Sequence, residues 1–143
     1  MERTVAIIKN STFVLVLNKN TNSDYSGACA PSSLSLGTGD NMQQLTVTYS
    51  GLTVAPIAGT TETISTMTVS CSAMNGLIAY MIFDGTWSPV ENQNDNSAPQ
   101  TVSITATCNS ADMVWNYVVV INGVTYERLI TSVTCQQANT PGG

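Results

Sequence analysis

The chain has no histidine. That absence removes the commonest general base, the Ser-His and Cys-His nucleophile pairs, and imidazole metal sites in one step. Chemistry would have to come from carboxylates or thiols. The acids are Glu2, Asp24, Asp40, Glu62, Asp84, Glu91, Asp95, Asp112 and Glu127. A glycosidase needs two carboxyls converging across a cleft, but most of these fall at strand ends or in polar loops, and nothing in their spacing brings two together. A cysteine nucleophile must be held as thiolate by a neighbouring base or cation, and no histidine is there to do it. The sequence therefore reads as a non-enzymatic protein with no catalytic residue.

The cysteines stand at 29, 71, 108 and 135. Their number is even, and they form neither a C-x-x-C motif nor a metal-ligand spacing. Two disulfides among Cys29, Cys71, Cys108 and Cys135 are expected, with three pairings open. Buried free thiols, which behave as small hydrophobes, are the plain alternative. No metal or cofactor is expected.

Residues 86–100 make the longest loop without a strand or helix pattern, and long loops often carry function. Within it, residues 91–97 (ENQNDNS) are rich in the hard oxygens that calcium prefers. The EF-hand glycine is missing, and a solvated loop is the simpler reading. Trp87 in the same loop could stack on a sugar ring or sit at a lipid interface, although a tryptophan often just plugs the end of a sandwich. Trp87, Glu91, Asn94 and Asp95 are the candidate ligand loop. Rows of threonine (Thr46 and Thr48, Thr66 and Thr68, Thr105 and Thr107) could offer a hydrogen-bonding face, but threonine also simply suits a solvent-facing pleat.

The elements that must position these residues are strands. Residues 44–49 alternate Leu45, Val47 and Tyr49 against polar neighbours. Residues 63–72 alternate Met67, Val69 and Cys71 against Thr66, Thr68 and Ser70. Residues 102–108 alternate Val102, Ile104, Ala106 and Cys108 against Ser103, Thr105 and Thr107. A period of two is the signature of a half-buried strand. Residues 4–9 and 13–18 read as two further strands, separated by the sequon Asn10-Ser11-Thr12. Residues 114–121 are apolar on both faces, which predicts a strand buried on both sides at the centre of the fold. Asn122-Gly123 then favours a type I′ hairpin turn, and Ser50-Gly51 and Asn75-Gly76 are read the same way. Together they predict an all-β antiparallel two-sheet sandwich, jelly-roll or immunoglobulin-like, of nine or ten strands. A single domain would span residues 1–135, with a flexible tail at 136–143.

Composition narrows the partners. Charged residues make up only 9% of the 143-residue chain, while 43% are apolar. The formal net charge is −5, with four basic residues in all. Nucleic-acid binding needs a basic footprint that is absent, and so does a polybasic membrane patch. Thr, Ser and Asn take the place of charge, a composition common in extracellular and cell-surface β proteins. Low charge also weakens the repulsion that keeps proteins monomeric. These features predict a structural subunit of a self-associating extracellular or surface assembly, a homo-oligomer or polymer such as a filament or layer. Its joints would be strand edges or an N-terminal strand carrying Val5, Ile7, Phe13 and Leu15. The alternative is a β-sandwich module that binds glycan or lipid through the 86–100 loop.

Overall fold

A computed structural model describes residues 27–92 and 99–139. Nine strands account for most of them: β1 (Ser35–Leu36), β2 (Gln44–Leu45), β3 (Thr48–Pro56), β4 (Thr63–Ser72), β5 (Leu77–Phe83), β6 (Thr101–Asn109), β7 (Val114–Ile121), β8 (Val124–Ile130) and β9 (Ser132–Asn139). They form a five-stranded sheet in the order β3-β4-β6-β7-β8 and a four-stranded sheet built around β9. In the smaller sheet β9 pairs with β5 along one side and with the two-residue strands β1 and β2 along the other. The all-β two-sheet sandwich predicted from the alternation is the architecture observed. The two strands expected at 4–9 and 13–18, with Val5, Ile7, Phe13 and Leu15, lie outside the described residues.

The core follows the predicted alternation. Met67, Val69 and Cys71 of β4 and Val102, Ile104, Ala106 and Cys108 of β6 are buried on the inner face of the larger sheet. Ala79, Met81, Phe83, Val133 and Cys135 meet them from the smaller sheet. Each fully buried large apolar side chain stabilises the fold by roughly 1.5–3 kcal/mol. Trp115 is enclosed too, with its indole N–H donating to the Ala30 carbonyl and the Ser33 hydroxyl.

Four expectations need correction. Ser50-Gly51 is not a hairpin turn. The chain runs straight on through β3, and the register against β4 slips between Ser50 and Thr53, a bulge that uses the positive φ of Gly51. A bulge and a tight turn demand the same backbone freedom, so the glycine alone could not separate them. Asn75-Gly76 does turn the chain, but β4 and β5 belong to different sheets, so the turn carries the chain across the sandwich.

The third correction concerns β7 and β8. Their Asn122-Gly123 hairpin is present with positive φ at both residues. It lies at the edge of the larger sheet, however, and β8 is exposed along nearly its whole length. The physical reason is width: the smaller sheet is too narrow to cover the five-stranded one to its rim. The fourth concerns the C-terminal tail. The last strand continues past Cys135 to Asn139. Gln137 points inward there, and its side-chain amide is bonded to Met42 and Met74. That satisfied amide makes a buried glutamine compatible with a strand interior.

Candidate functional site

Both disulfides form. Cys29 bonds to Cys108, and Cys71 bonds to Cys135. The first ties the segment ahead of β1 to β6, beside Trp115, which is the register partner of Cys108 on β7. The second crosses the sandwich from β4 to β9. The four thiols are therefore structural, and among the described residues no cysteine is free.

The described start of the loop after β5, residues 84–92, is anchored at several points. Asp84 and Gly85 both take positive φ, and Trp87 folds back to exchange backbone hydrogen bonds with Phe83. The Asp84 carboxylate accepts hydrogen bonds from the Thr131 and Ser132 amides, at 3.0 and 2.9 Å. It thereby fixes the corner where the chain leaves β8 for β9. Burial disfavours the Asp84 charge, but the hydrogen bonds from Thr131 and Ser132 outweigh it and hold the pKa below its ordinary value of 3.8. Asn92 pairs with Met81 as a strand would: its Oδ1 accepts from the Met81 amide and its Nδ2 donates to the Met81 carbonyl.

Two of the four candidate ligand residues are described, and both are engaged within the chain. The Arg128 guanidinium lies 3.5 Å from the Trp87 ring centroid, a cation–π stack that covers one ring face. The Tyr117 hydroxyl donates to the Glu91 carboxylate and accepts from the Val90 amide. Burial, joined by that bond to Glu91, pushes the Tyr117 pKa far up, so the phenol stays neutral. Asn94 and Asp95 lie outside the described residues. Among the described residues no three carboxylate or thiol side chains gather to hold a metal ion.

A groove of about 590 Å³ opens where the chain passes from β2 to β3, changing sheets at the buried Val47. Met42 and Met74 flank it, Cys71 lies in its wall, and no charged side chain lines it. It is shallow and neutral, with no acid or base for chemistry.

Residues 29–135 match the family model of the C6 domain. The chain belongs to the C6 domain family. Its match begins and ends on cysteines of the two observed bridges, so the family segment is the disulfide-stapled sandwich itself. C6 domains are disulfide-rich extracellular domains. No curated protein and no solved structure matches this chain.

The C6 sandwich leaves single apolar side chains uncovered at Met42, Met74 and Trp87, and a group of them on the β7–β8 hairpin. Trp115 and Tyr117 on β7 are buried, and by alternation Val119 and Ile121 share their face. Tyr126 and Val124 of β8 stand opposite these two in register. Toward the tip that face passes beyond the smaller sheet. Val124 is 51% exposed and Tyr126 53%, and on the outer face Val120 is 62% exposed. Leu129 on β8 is half exposed as well. The type and spacing of these residues were legible, but their exposure was not. In the sequence Asp84 is only one of the scattered acids, and Asn92 only part of the polar 91–97 run. That Asp84 holds Thr131 and Ser132, that Asn92 caps Met81 and that Arg128 stacks on Trp87 depends on the fold.

Proposed function

We propose that this C6 domain is a non-enzymatic structural subunit that works outside the cell and associates with copies of itself through strand edges. The observation that carries the reading is the uncovered hairpin. Exposed apolar side chains contiguous along one edge are unusual on a monomeric surface and characteristic of contact surfaces. The remainder of the surface supports it, since Thr and Ser line the outer faces of β4 and β6 and few charges oppose close approach. Two buried bridges suit an oxidising, extracellular setting, where small domains rely on such staples. An N-terminal strand from residues 4–17 remains a second candidate joint, on sequence pattern alone.

The glycan- or lipid-binding alternative keeps a half-exposed Trp87, but both described candidates of the 86–100 loop are engaged within the chain. Trp87 already carries Arg128 on its ring, and Glu91 already accepts from Tyr117.

Size exclusion with light scattering, followed by electron microscopy, tests the reading on the oxidised full chain. Species larger than the monomer are expected, growing with concentration. A monomer at every concentration tried would overturn it.

A further inference from the structure

Sandwich proteins guard the edges of their sheets, because a bare strand edge pairs with whatever strand it meets. Here the guarding is uneven. β1 and β2 are two residues each. β3 carries the Gly51 bulge and ends on Pro56. β5 is capped along its free side: Pro99 O accepts from the Ala79 amide, Asn92 bonds both backbone groups of Met81, and Trp87 bonds Phe83. β8 has none of these devices. It runs seven residues without proline, glycine or bulge, and among the described residues no backbone partner lies beyond it.

Its outward groups can be assigned. The two-residue hairpin makes Ile121 and Val124 a hydrogen-bonded pair. Antiparallel pairs alternate, so Val124, Tyr126, Arg128 and Ile130 bond to β7. Thr125, Glu127 and Leu129 turn their N–H and C=O groups away from the sheet.

We propose that the β8 edge pairs with the β8 edge of a second copy, antiparallel about a two-fold axis at Tyr126, to run two five-stranded sheets into one. This rests on the self-association proposed above and names its partner and register. For the sheets to continue, side chains of the same face must stand opposite, so the paired residue numbers sum to an even value. An axis at Glu127 sets two carboxylates face to face, and an axis at Arg128 sets two guanidinium groups face to face. Like charges directly opposite destabilise a strand pair. An axis at Tyr126 avoids both. It also satisfies the hydrogen-bond alternation, because Thr125 and Glu127, whose backbone groups point outward, become the bonded pair on each side of the axis. Tyr126 then meets Tyr126 of the second copy at the closely spaced, non-bonded position. Arg128 lies diagonal to that tyrosine. The uncovered face bearing Val119, Ile121 and Val124 becomes continuous with its counterpart. Such a contact is isologous and closes on itself, so it yields a dimer, and any larger assembly is built from dimers.

The test uses the oxidised full chain in sedimentation velocity. Tyr126→Lys and Tyr126→Glu each place like charges across the axis, on a half-exposed side chain whose loss leaves the core intact. Each variant alone is expected to lose the dimer. An equimolar mixture is expected to regain it as a heterodimer, which a misfolded variant could not do. Thr101→Lys, on β6 away from the edge, should dimerise like the parent chain. If both Tyr126 variants associate as the parent does, the β8 register is wrong while self-association stands. If each variant is monomeric and the mixture is also monomeric, the two-fold pairing is overturned. If the parent chain is itself monomeric throughout, both readings fall.

Discussion

Asp84 shows how much one unremarkable acid can organise. Its φ of 51° places it in the left-handed region, which aspartate and asparagine tolerate better than most residues. From there its carboxylate reaches the Thr131 and Ser132 amides at the corner between the two sheets. Because those bonds outweigh burial and depress its folded pKa, Asp84 contributes stability that is complete above the unfolded carboxyl value. That stability is lost as pH falls through the lower, folded value. Asp40 behaves alike, its pKa lowered chiefly by the Met42 and Gln44 amides, so the whole acid limb is not due to Asp84. Asp84→Asn keeps the backbone preference and one acceptor but loses the charge. It is expected to cost about 1 kcal/mol at neutral pH, a modest figure because the site is partly solvated. The gap from the parent chain should narrow below pH 3.8. Urea melts at neutral and acid pH measure both; an equal gap at the two would show that the charge plays no part.

At the scale of elements, most strands were legible, but the end of β9 beyond Cys135 was not, and neither were the strands' partners. Alternation at residues 63–72 and 102–108 marks half-buried strands whatever stands beside them. Gly51 could serve a turn or a bulge, and the choice depends on β4, which continues pairing past it. β7 is apolar on both faces, which reads as burial, yet its outer half is exposed because the opposite sheet is narrow. That width is set by β9 and its short neighbours, on which the local sequence is silent. The candidate loop shows the same limit, since Trp87 and Glu91 invite a ligand until Arg128 and Tyr117 arrive from distant strands. Asn92 makes the point testable. Its amide stands in for a missing strand beside β5, closing an edge that would otherwise present the backbone groups of Met81. Asn92→Ala leaves those groups unpaired in a buried setting. A loss of about 1–3 kcal/mol is expected, with faster amide exchange at Met81 and a greater tendency to aggregate on warming. Chemical denaturation with hydrogen-exchange mass spectrometry would check it, and unchanged protection at Met81 would show that the cap is dispensable.

For the whole molecule, the even cysteine count forecast two bridges, while the choice among three pairings waited on the fold. The loops closed by Cys29–Cys108 and Cys71–Cys135 span 79 and 64 residues. Chain entropy therefore assigns each about 4 kcal/mol and barely distinguishes them. Topology does distinguish them. Every other strand of the smaller sheet pairs with β9, and Cys135 is the residue that bonds β9 to the larger sheet. Cys29 instead holds a peripheral segment, whose further ties include the Trp115 indole bonds to Ala30 and Ser33. Replacing Cys71 and Cys135 by alanine should loosen the smaller sheet as a unit, so that β5 and β9 lose exchange protection together with global stability. Replacing Cys29 and Cys108 should instead release residues 29–36 first, with protection across β4, β6 and β9 largely retained. Hydrogen-exchange mass spectrometry on the two double variants separates these patterns. Identical profiles would mean that the staples act only through the unfolded chain, and that β9 is not the strand through which the sandwich is held closed.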